Sequence, residues 1–418
     1  MAHLLVIELP GGNDTDILQA AYERGDAVTL LTADLALYKQ QADVRPWVER
    51  ARTCIEVPGF DFNTVQDKVL DCHRECPIEA VLCLLDIRLI EAAQLARVLN
   101  LKFLNPASAV LLRDKFNVRT RLKEMGIPQP AFSLATTNRA IQQAVQDIGL
   151  PVLIKPADGY GSQNVVVLQN ELDLDPVMSP LEDMLPSRAD YGLGVKANDR
   201  LLVERYMPGI VVGCDTFTQD GVHQLLGVNE KVFFERPSFA IQGGCFTPNQ
   251  GQYRLLEDYV FALLDAVGFD CGATHTELMV SPDAIHLVEI NPRLVGAKIA
   301  RLMGFALHRS VHSDLIDLHL GLPLHPLPLT QDVAVTRWIV ADKAGILHTV
   351  EWPTCDDARI CCVEMLKHPG DHVREPMENA DRMGYVMTCA SSRKEAEALA
   401  VEFVAHVKVH MAQDACPP

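Results

Sequence analysis

No run of apolar residues in this 418-residue chain approaches the roughly 20 that a membrane-spanning helix needs. Its opening, MAHLLVIELPGGND, passes from a short apolar strand straight to a turn, without the basic segment or long apolar stretch of a secretion signal. It reads as the start of a fold. Positive charge is also scarce: 37 Lys and Arg against 55 Asp and Glu leave a net charge of -18, which argues against a nucleic-acid partner and an anionic membrane surface. A phosphate ligand remains open, since it needs only local lysines, backbone N–H groups and a metal. The 12 cysteines, among them Cys54, Cys72, Cys76, Cys83 and Cys214, form no C-x-x-C pair and no zinc spacing. Reduced, mostly buried thiols in a cytoplasmic protein are expected. Internal repeats and low-complexity tracts are absent.

What is present describes a soluble globular protein. Hydrophobic residues make up 48% of the chain and charged ones 22%, and the length suggests about three domains. Up to about residue 105, five short apolar runs (HLLVIEL, DAVTLLTA, TCIEVPG, EAVLCLLD, LKFLNP) alternate with stretches of helical spacing such as IRLIEAAQLARVL. This is a βαβ pattern, implying a parallel sheet covered by helices. PGGND after the first run is not G-x-G-x-x-G, so it is read as a turn into the first helix and a wall for a substrate. A helix over SAVLLRDKFNVRTRLKEMG follows, with Ser108 as N-cap and Gly126 at its end. Residues 170 to 200 read as an irregular insertion, HPLPLTQD as a linker, and 331 to 418 as a final mixed lobe.

Three stretches carry chemistry. In PVLIKPADGYGSQNVVVL, Lys155 ends an apolar strand on the face of Leu153, and a buried lysine needs an anion. Gly159, Gly161 and Ser162 follow it in a loop whose backbone can approach a ligand closely. The lysine precedes the glycines and a strand comes next, so this is no Walker A loop; a plain hairpin is the alternative, and the lysine directly before it favours a flap over phosphates. LLVERYMPG places Glu204 at a strand end, where backbone groups and a carboxylate can meet an adenine. GATHTELMVSPDAIHLVEINPRLVGAK reads as two strands joined by a turn at Ser281-Pro282-Asp283. Centred on Asp283, that hairpin sets Glu277 opposite Glu289, with Asn291 and Arg293 following at two-residue steps. Two acids about 5 Å apart repel unless something positive lies between them, and a hard dication ligated by carboxylate and amide oxygens answers that need. A solvated sheet face carrying two acids is the alternative; the in-line Asn291 and Arg293 argue against it.

The ordered set of Lys115, Lys155 with its glycine flap, VERYM, then Glu277, Glu289, Asn291 and Arg293 resembles the ATP-grasp superfamily of ligases. The chain is most similar there to the bacterial L-amino-acid ligases, or dipeptide synthases, in DKFNVRTRLKEMGIPQP, LIKPADGYGSQNV and VEINPRLVGAKI. The resemblance implies an α/β and α+β architecture: an N-terminal βαβ (Rossmann-like) domain over 1–112, a small ATP-grasp subdomain over 113–200, a large one over 201–325 and a C-terminal mixed α/β lobe over 326–418. It implies that Lys115, Lys155, Gly159, Gly161 and Ser162 hold ATP phosphates, and that Glu204, Tyr206 and Met207 hold adenine. Glu277 and Glu289 would share one magnesium, Glu289 and Asn291 a second, with manganese as a substitute, and Arg293 would steady the reacting acyl phosphate. The implied reaction joins two amino acids in an amide bond through an acyl phosphate, releasing ADP and phosphate. The alternative is another ATP-grasp ligase or carboxylase, acting on biotin or a purine intermediate. Family members of this kind commonly carry a Glu-x-Gly-His segment in a substrate loop. Here Ile241-Gln242-Gly243-Gly244 stands in its place, which leaves the identity of the amino acids open; Gly243, Gly244 and Gly296 are candidate substrate contacts, with a bare flexible loop the alternative for Gly243-Gly244. A homodimer is compatible with the resemblance.

Overall fold

The first four apolar runs become parallel strands in the computed structural model, which describes residues 1–159, 165–170, 193, 200–235 and 240–412. They are β1 (His3–Ile7), β2 (Ala27–Thr32), β3 (Thr53–Glu56) and β4 (Ala80–Cys83), in the order β3-β2-β1-β4. Alternation along β1 sends Leu4 and Val6 into one apolar cluster and Leu5 and Ile7 into another, so both faces of the sheet are covered.

The fifth run does not form a strand. Leu104 is buried, but the chain turns at once into a helix over Pro106–Leu112, capped by Asn105, whose side chain accepts from Ser108 N at 2.9 Å. Asn105 therefore takes the capping place expected of Ser108. The long helix expected to run on to Gly126 is interrupted as well: the Asp114 side chain accepts from Asn117 N at 2.9 Å and starts a second helix, Lys115–Glu124. Asp competes with the helix backbone by offering its own acceptor, which makes it a start signal rather than an interior residue. Gly126, at φ +75°, does close this helix.

β5 (Phe132–Ala135), β6 (Val152–Pro156), β7 (Val166–Leu168) and β8 (Leu201–Arg205) form an antiparallel sheet in the order β5-β8-β6-β7. The helix Asn138–Ile148 packs Ile141, Ala144, Val145 and Ile148 against it. The largest sheet comprises β9 (Ile210–Gln219), β10 (Val222–Phe233), β11 (Ile241–Pro248), β12 (Gly272–Val280) and β13 (Ile285–Asn291), followed by β14 (Val333–Ile339), β16 (Ile360–Met365) and β18 (Gly384–Ala390). Its order is β13-β12-β9-β10-β11-β14-β18-β16, so strands from either side of residue 325 share one sheet. β15 (Gly345–Glu351), β17 (His372–Val373) and β19 (Lys408–Met411) make a small third layer.

One face of the large sheet meets the helices Ile299–Leu307 and Val311–His319 and, through them, the N-terminal sheet. Phe246, Trp338, Tyr385 and Met387 share a core there with Leu4, Leu302 and Ile316. The opposite face carries the helix Arg393–Ala405 over Cys245, Val335 and Val386. Ile241–Gly244, expected in a loop, is the start of β11: Gly243 pairs with Val232 and Arg337, and Gly244 with Lys231 and Thr336. A Cβ at Gly243 would stand 2.5 Å from the Thr336 carbonyl oxygen, so glycine there allows close approach of two backbones. Every described cysteine is a free thiol; Cys83, Cys214, Cys245 and Cys271 are buried and Cys355 is exposed. No helix among the described residues is long and apolar enough to cross a membrane.

Candidate active site

The β12–β13 hairpin turns where the sequence places it, with Ser281 N bonded to Ala284 O at 2.9 Å. Glu277 pairs with Glu289 and His275 with Asn291. The two acids therefore stand side by side, and the fold surrounds them with cations. Lys231 Nζ, from β10, lies 2.5 Å from Glu277 Oε1, His275 Nε2 lies 3.4 Å from the same oxygen, and Lys115 Nζ lies 3.2 Å from Glu289 Oε2. Asn291 Nδ2 donates to Glu289 Oε1 at 3.0 Å. Burial pushes the Glu277 carboxyl up, but Lys231 and His275 outweigh it and hold the group far below the usual carboxylate range.

Behind Glu277 runs a buried chain of polar groups. His275 Nδ1 faces Asp215 Oδ1 at 3.0 Å, and Asp215 in turn accepts from Asn229 Nδ2. Burial depresses the His275 imidazole, yet Asp215 and Glu277 raise it to about 9. Gly213, across from Glu277 on β9, makes room for this ring: a Cβ there would meet His275 Cε1 at 2.3 Å.

Arg293, just beyond β13, donates from Nε to Asp86 Oδ2 at 2.6 Å and from Nη1 to Leu294 O at 2.9 Å. Asp86 is buried beyond the carboxyl end of β4, the edge of a parallel sheet where α/β proteins place ligands. Burial raises the Asp86 carboxyl, but Arg293, Arg113 and Lys115 bring it below its ordinary value. Arg293 is thus fixed from a second sheet.

On the other side of the hairpin, Lys115 Nζ also donates to Gly159 O, and Lys155 Nζ lies 2.6 Å from Glu204 Oε1 and 3.3 Å from Val288 O. Glu204 is shared: Arg119 Nε reaches its Oε2 at 3.0 Å, and Arg119 Nη2 donates to Leu287 O and Val288 O at 2.7 and 3.0 Å. Burial raises Glu204, but Arg119 and Lys155 leave it at about 2. In this arrangement Glu204 is the anion of the buried Lys155. Tyr206 and Met207 follow β8, half-buried, with Tyr206 N on Pro151 O at 3.0 Å. Gly161 and Ser162 lie outside the described residues. Gly244 shares the face of Lys231 and Glu277; Gly243 faces the other way, beside Arg337. Gly296 is exposed, with nothing within 4 Å of a Cβ built on it.

The structure brings Lys115, Glu277, Glu289, Asn291 and Arg293 together, and sets Lys155 and Glu204 as one pair along the edge of β13. Lys231, Asp86, His275 and Asp215 are the residues that sequence reasoning missed. His275 carried a signal, being two residues before Glu277 and so on its face. Lys231 and Asp86 carried none. Two carboxylates and a carboxamide are hard oxygen donors of the kind magnesium takes, so the residues present fit that ion. A separate acidic group, Asp314, Asp317 and His325, already has Arg309 and Arg24 on its carboxylates.

Paired acids ringed by fixed cations lie on a sheet joined to a parallel α/β domain, and the architecture is that of the ATP-grasp, ATP-dependent ligases. Residues 148–301 match the ATP-grasp domain model, and residues 337–412 match L-amino acid ligase C-terminal domain 2. An uncharacterized protein, y4rH, of Sinorhizobium fredii is 25% identical over 409 residues, covering 95% of this chain and 80% of the relative. Among solved structures, the L-amino acid ligase from Bacillus licheniformis superposes with a TM-score of 0.78 at 18% identity, covering 99% of each chain. The phosphoribosylglycinamide synthetase from Anaerococcus prevotii superposes with a TM-score of 0.75 at 14% identity, covering 98% of this chain and 100% of that one.

Proposed function

We propose that this enzyme joins the carboxylate of one L-amino acid to the amine of another, forming a dipeptide and releasing ADP and phosphate. A substrate carboxylate oxygen bonds to the γ-phosphorus of ATP as the bond to ADP breaks. The amine nitrogen of the second amino acid then bonds to the acyl carbon, phosphate leaves and a proton is released. The observation that supports this most is Arg293, which the Asp86 carboxylate holds beside the paired acids of β12 and β13.

In this reading Lys115, Lys155, Gly159, Gly161 and Ser162 contact the phosphates, and Glu204, Tyr206 and Met207 lie along the adenine. Glu277, Glu289 and Asn291 would hold magnesium as two ions, with manganese as a substitute, and the bound metal would supply positive charge to the phosphate oxygens. Arg293 presents a planar fork to the acyl phosphate and to the tetrahedral intermediate after it. Lys231 and His275 keep Glu277 ionised, and Lys115 pairs with Glu289. Gly244 and Gly296 leave room for substrate. The C-terminal match to L-amino acid ligases favours amino acids over bicarbonate or a purine intermediate.

The test is phosphate release with ATP and magnesium over a matrix of paired amino acids, with bicarbonate controls and mass spectrometry of each positive well. Release that needs two amino acids, with a product at their summed mass less water, is expected. Release with bicarbonate or one unrelated acid would transfer the assignment to a carboxylase or a different ligase.

A further inference from the structure

Four Lys and Arg side chains are buried among the described residues: Arg88, Arg119, Lys155 and Arg382. Three of them have carboxylates. Arg119 and Lys155 share Glu204, and Arg88 lies 3.7 Å from both Glu8 and Glu91. Arg382, at 9% exposure, has none among the described residues. The two acids nearest to it in sequence turn away, Asp381 and Glu378 both pairing with Arg374 at 2.6 and 2.8 Å.

The fold nevertheless holds this guanidinium in place. It lies over the Trp338 ring, 4.1 Å from the centroid, and Nη2 donates to Asn379 Oδ1 at 2.5 Å. Nε finds no acceptor among the described residues. Asn379 Oδ1 also accepts from Ile241 N at 3.1 Å, which ties the group to the first residue of β11. Burial lowers the guanidinium to about 10, still charged at neutral pH. A buried charge without a counter-charge costs stability and is weak evidence of a structural role, whereas a planar fork with free donors is suited to a carboxylate.

Its place in the sheet says which ligand it can meet. Trp338 lies two residues beyond Thr336, which pairs with Gly244, which pairs with Lys231; all four positions share one face, the face of Glu277. Tyr385, opposite Trp338, stacks edge-on against it at 5.5 Å and accepts from Arg301 at 3.3 Å. Two strand spacings, about 10 Å, separate β10 from β14.

We propose that Arg382, seated on Trp338, is the recognition site for the carboxylate that the reaction does not consume, the free α-carboxylate of the amino acid that supplies the amine. The proposal rests on the ligase reading above. The Trp338 face and Asn379 hold the guanidinium plane, and its free donors receive the two carboxylate oxygens. An acceptor without that charge loses the contact while keeping its amine.

The experiment is calorimetric titration of the ADP- and magnesium-saturated enzyme with free L-amino acids and with the matching α-carboxamides, on wild type, Arg382→Met and Arg382→Lys. At least one free amino acid is expected to bind about tenfold or more tightly than its amide. Arg382→Met should abolish that preference by weakening the acid alone, and Arg382→Lys should restore part of it. Amides binding as well as acids in wild type, or a preference that survives in Arg382→Met, overturns the proposal. If Arg382→Met does not fold by circular dichroism, Arg382→Lys decides: an unchanged acid-to-amide ratio in that variant overturns it. If no amino acid binds, the dipeptide reading fails by itself, and the subsite is judged by acetate and succinate quenching of tryptophan fluorescence. Quenching weakened in the Arg382 variant supports a carboxylate site; equal quenching in both proteins, or none in either, ends it.

Discussion

Arg293 and Asp86 meet at 2.6 Å across 207 positions of sequence, joining the large sheet to the carboxyl edge of the N-terminal one. The carboxylate fixes the plane and direction of the guanidinium, so Asp86 is a positioning residue in the proposed reaction. Arg293→Ala should lower kcat by about 10²–10³ while leaving ATP affinity within a few-fold, because its partner charge develops only during reaction. Asp86→Asn should lose about tenfold or more in kcat, with KM for ATP unchanged. Steady-state kinetics beside ATP titration checks both, and a parallel fall in ATP affinity would remove Arg293 from the transition state.

His275 acts on the paired acids through Glu277. His275→Gln should raise the magnesium concentration needed for half-maximal phosphate release and lower kcat, while ADP binding without metal stays as in wild type. Glu289→Ala should abolish turnover, as should chelation of divalent ions; metal-stimulated ATPase surviving in that variant would sink the two-ion assignment.

The Glu204 carboxyl titrates at about 2 in the folded protein against a reference of 4.5. A depressed folded value means that its contribution to stability is fully present above about 4.5 and is lost as pH falls toward about 2. Glu204→Gln leaves Arg119 and Lys155 buried without their carboxylate, which should cost about 3–5 kcal/mol at neutral pH. Urea midpoints at several pH values should show the gap between variant and wild type narrowing below pH 4.5. A gap independent of pH would mean that Glu204 is not ionised in the fold.

Gly243 and Gly296 separate a packing requirement from a site requirement. Gly243→Ala presses a Cβ onto the Thr336 carbonyl and should cost about 1–3 kcal/mol of stability. Gly296→Ala meets no atom within 4 Å and should fold normally, any effect falling on KM for the amino acid. Thermal melts and substrate titrations of the two variants test this, and equal losses of stability would contradict the assignment.

Much of the site was legible because it is local. A turn at Ser281-Pro282-Asp283 with period-two alternation is enough to set Glu277 opposite Glu289, and the structure has that register. Helix boundaries were less legible, since Asn105 and Asp114 start helices by hydrogen bonds that compete with neighbouring choices. The run over 101–104 is as apolar as a strand yet pairs with no strand among the described residues, and Ile241–Gly244 reads as a glycine loop yet pairs on both sides. Pairing partners come from elsewhere in the chain, so neither outcome is written in the segment itself.

The sequence by itself determined the parallel sheet of the first domain, the acidic hairpin and the residues that resemble an ATP-grasp ligase, because periodicity and turn chemistry act over a few residues. Only the tertiary structure decided that Lys231 reaches Glu277, that Asp86 holds Arg293, that Glu204 answers Lys155, and that Arg382 lies on Trp338 with no carboxylate among the described residues. Alternation fixes the face a side chain occupies but carries no information about which strand is laid beside it. That choice is made by burial of apolar faces across the whole chain, and charges far apart in sequence meet as its consequence.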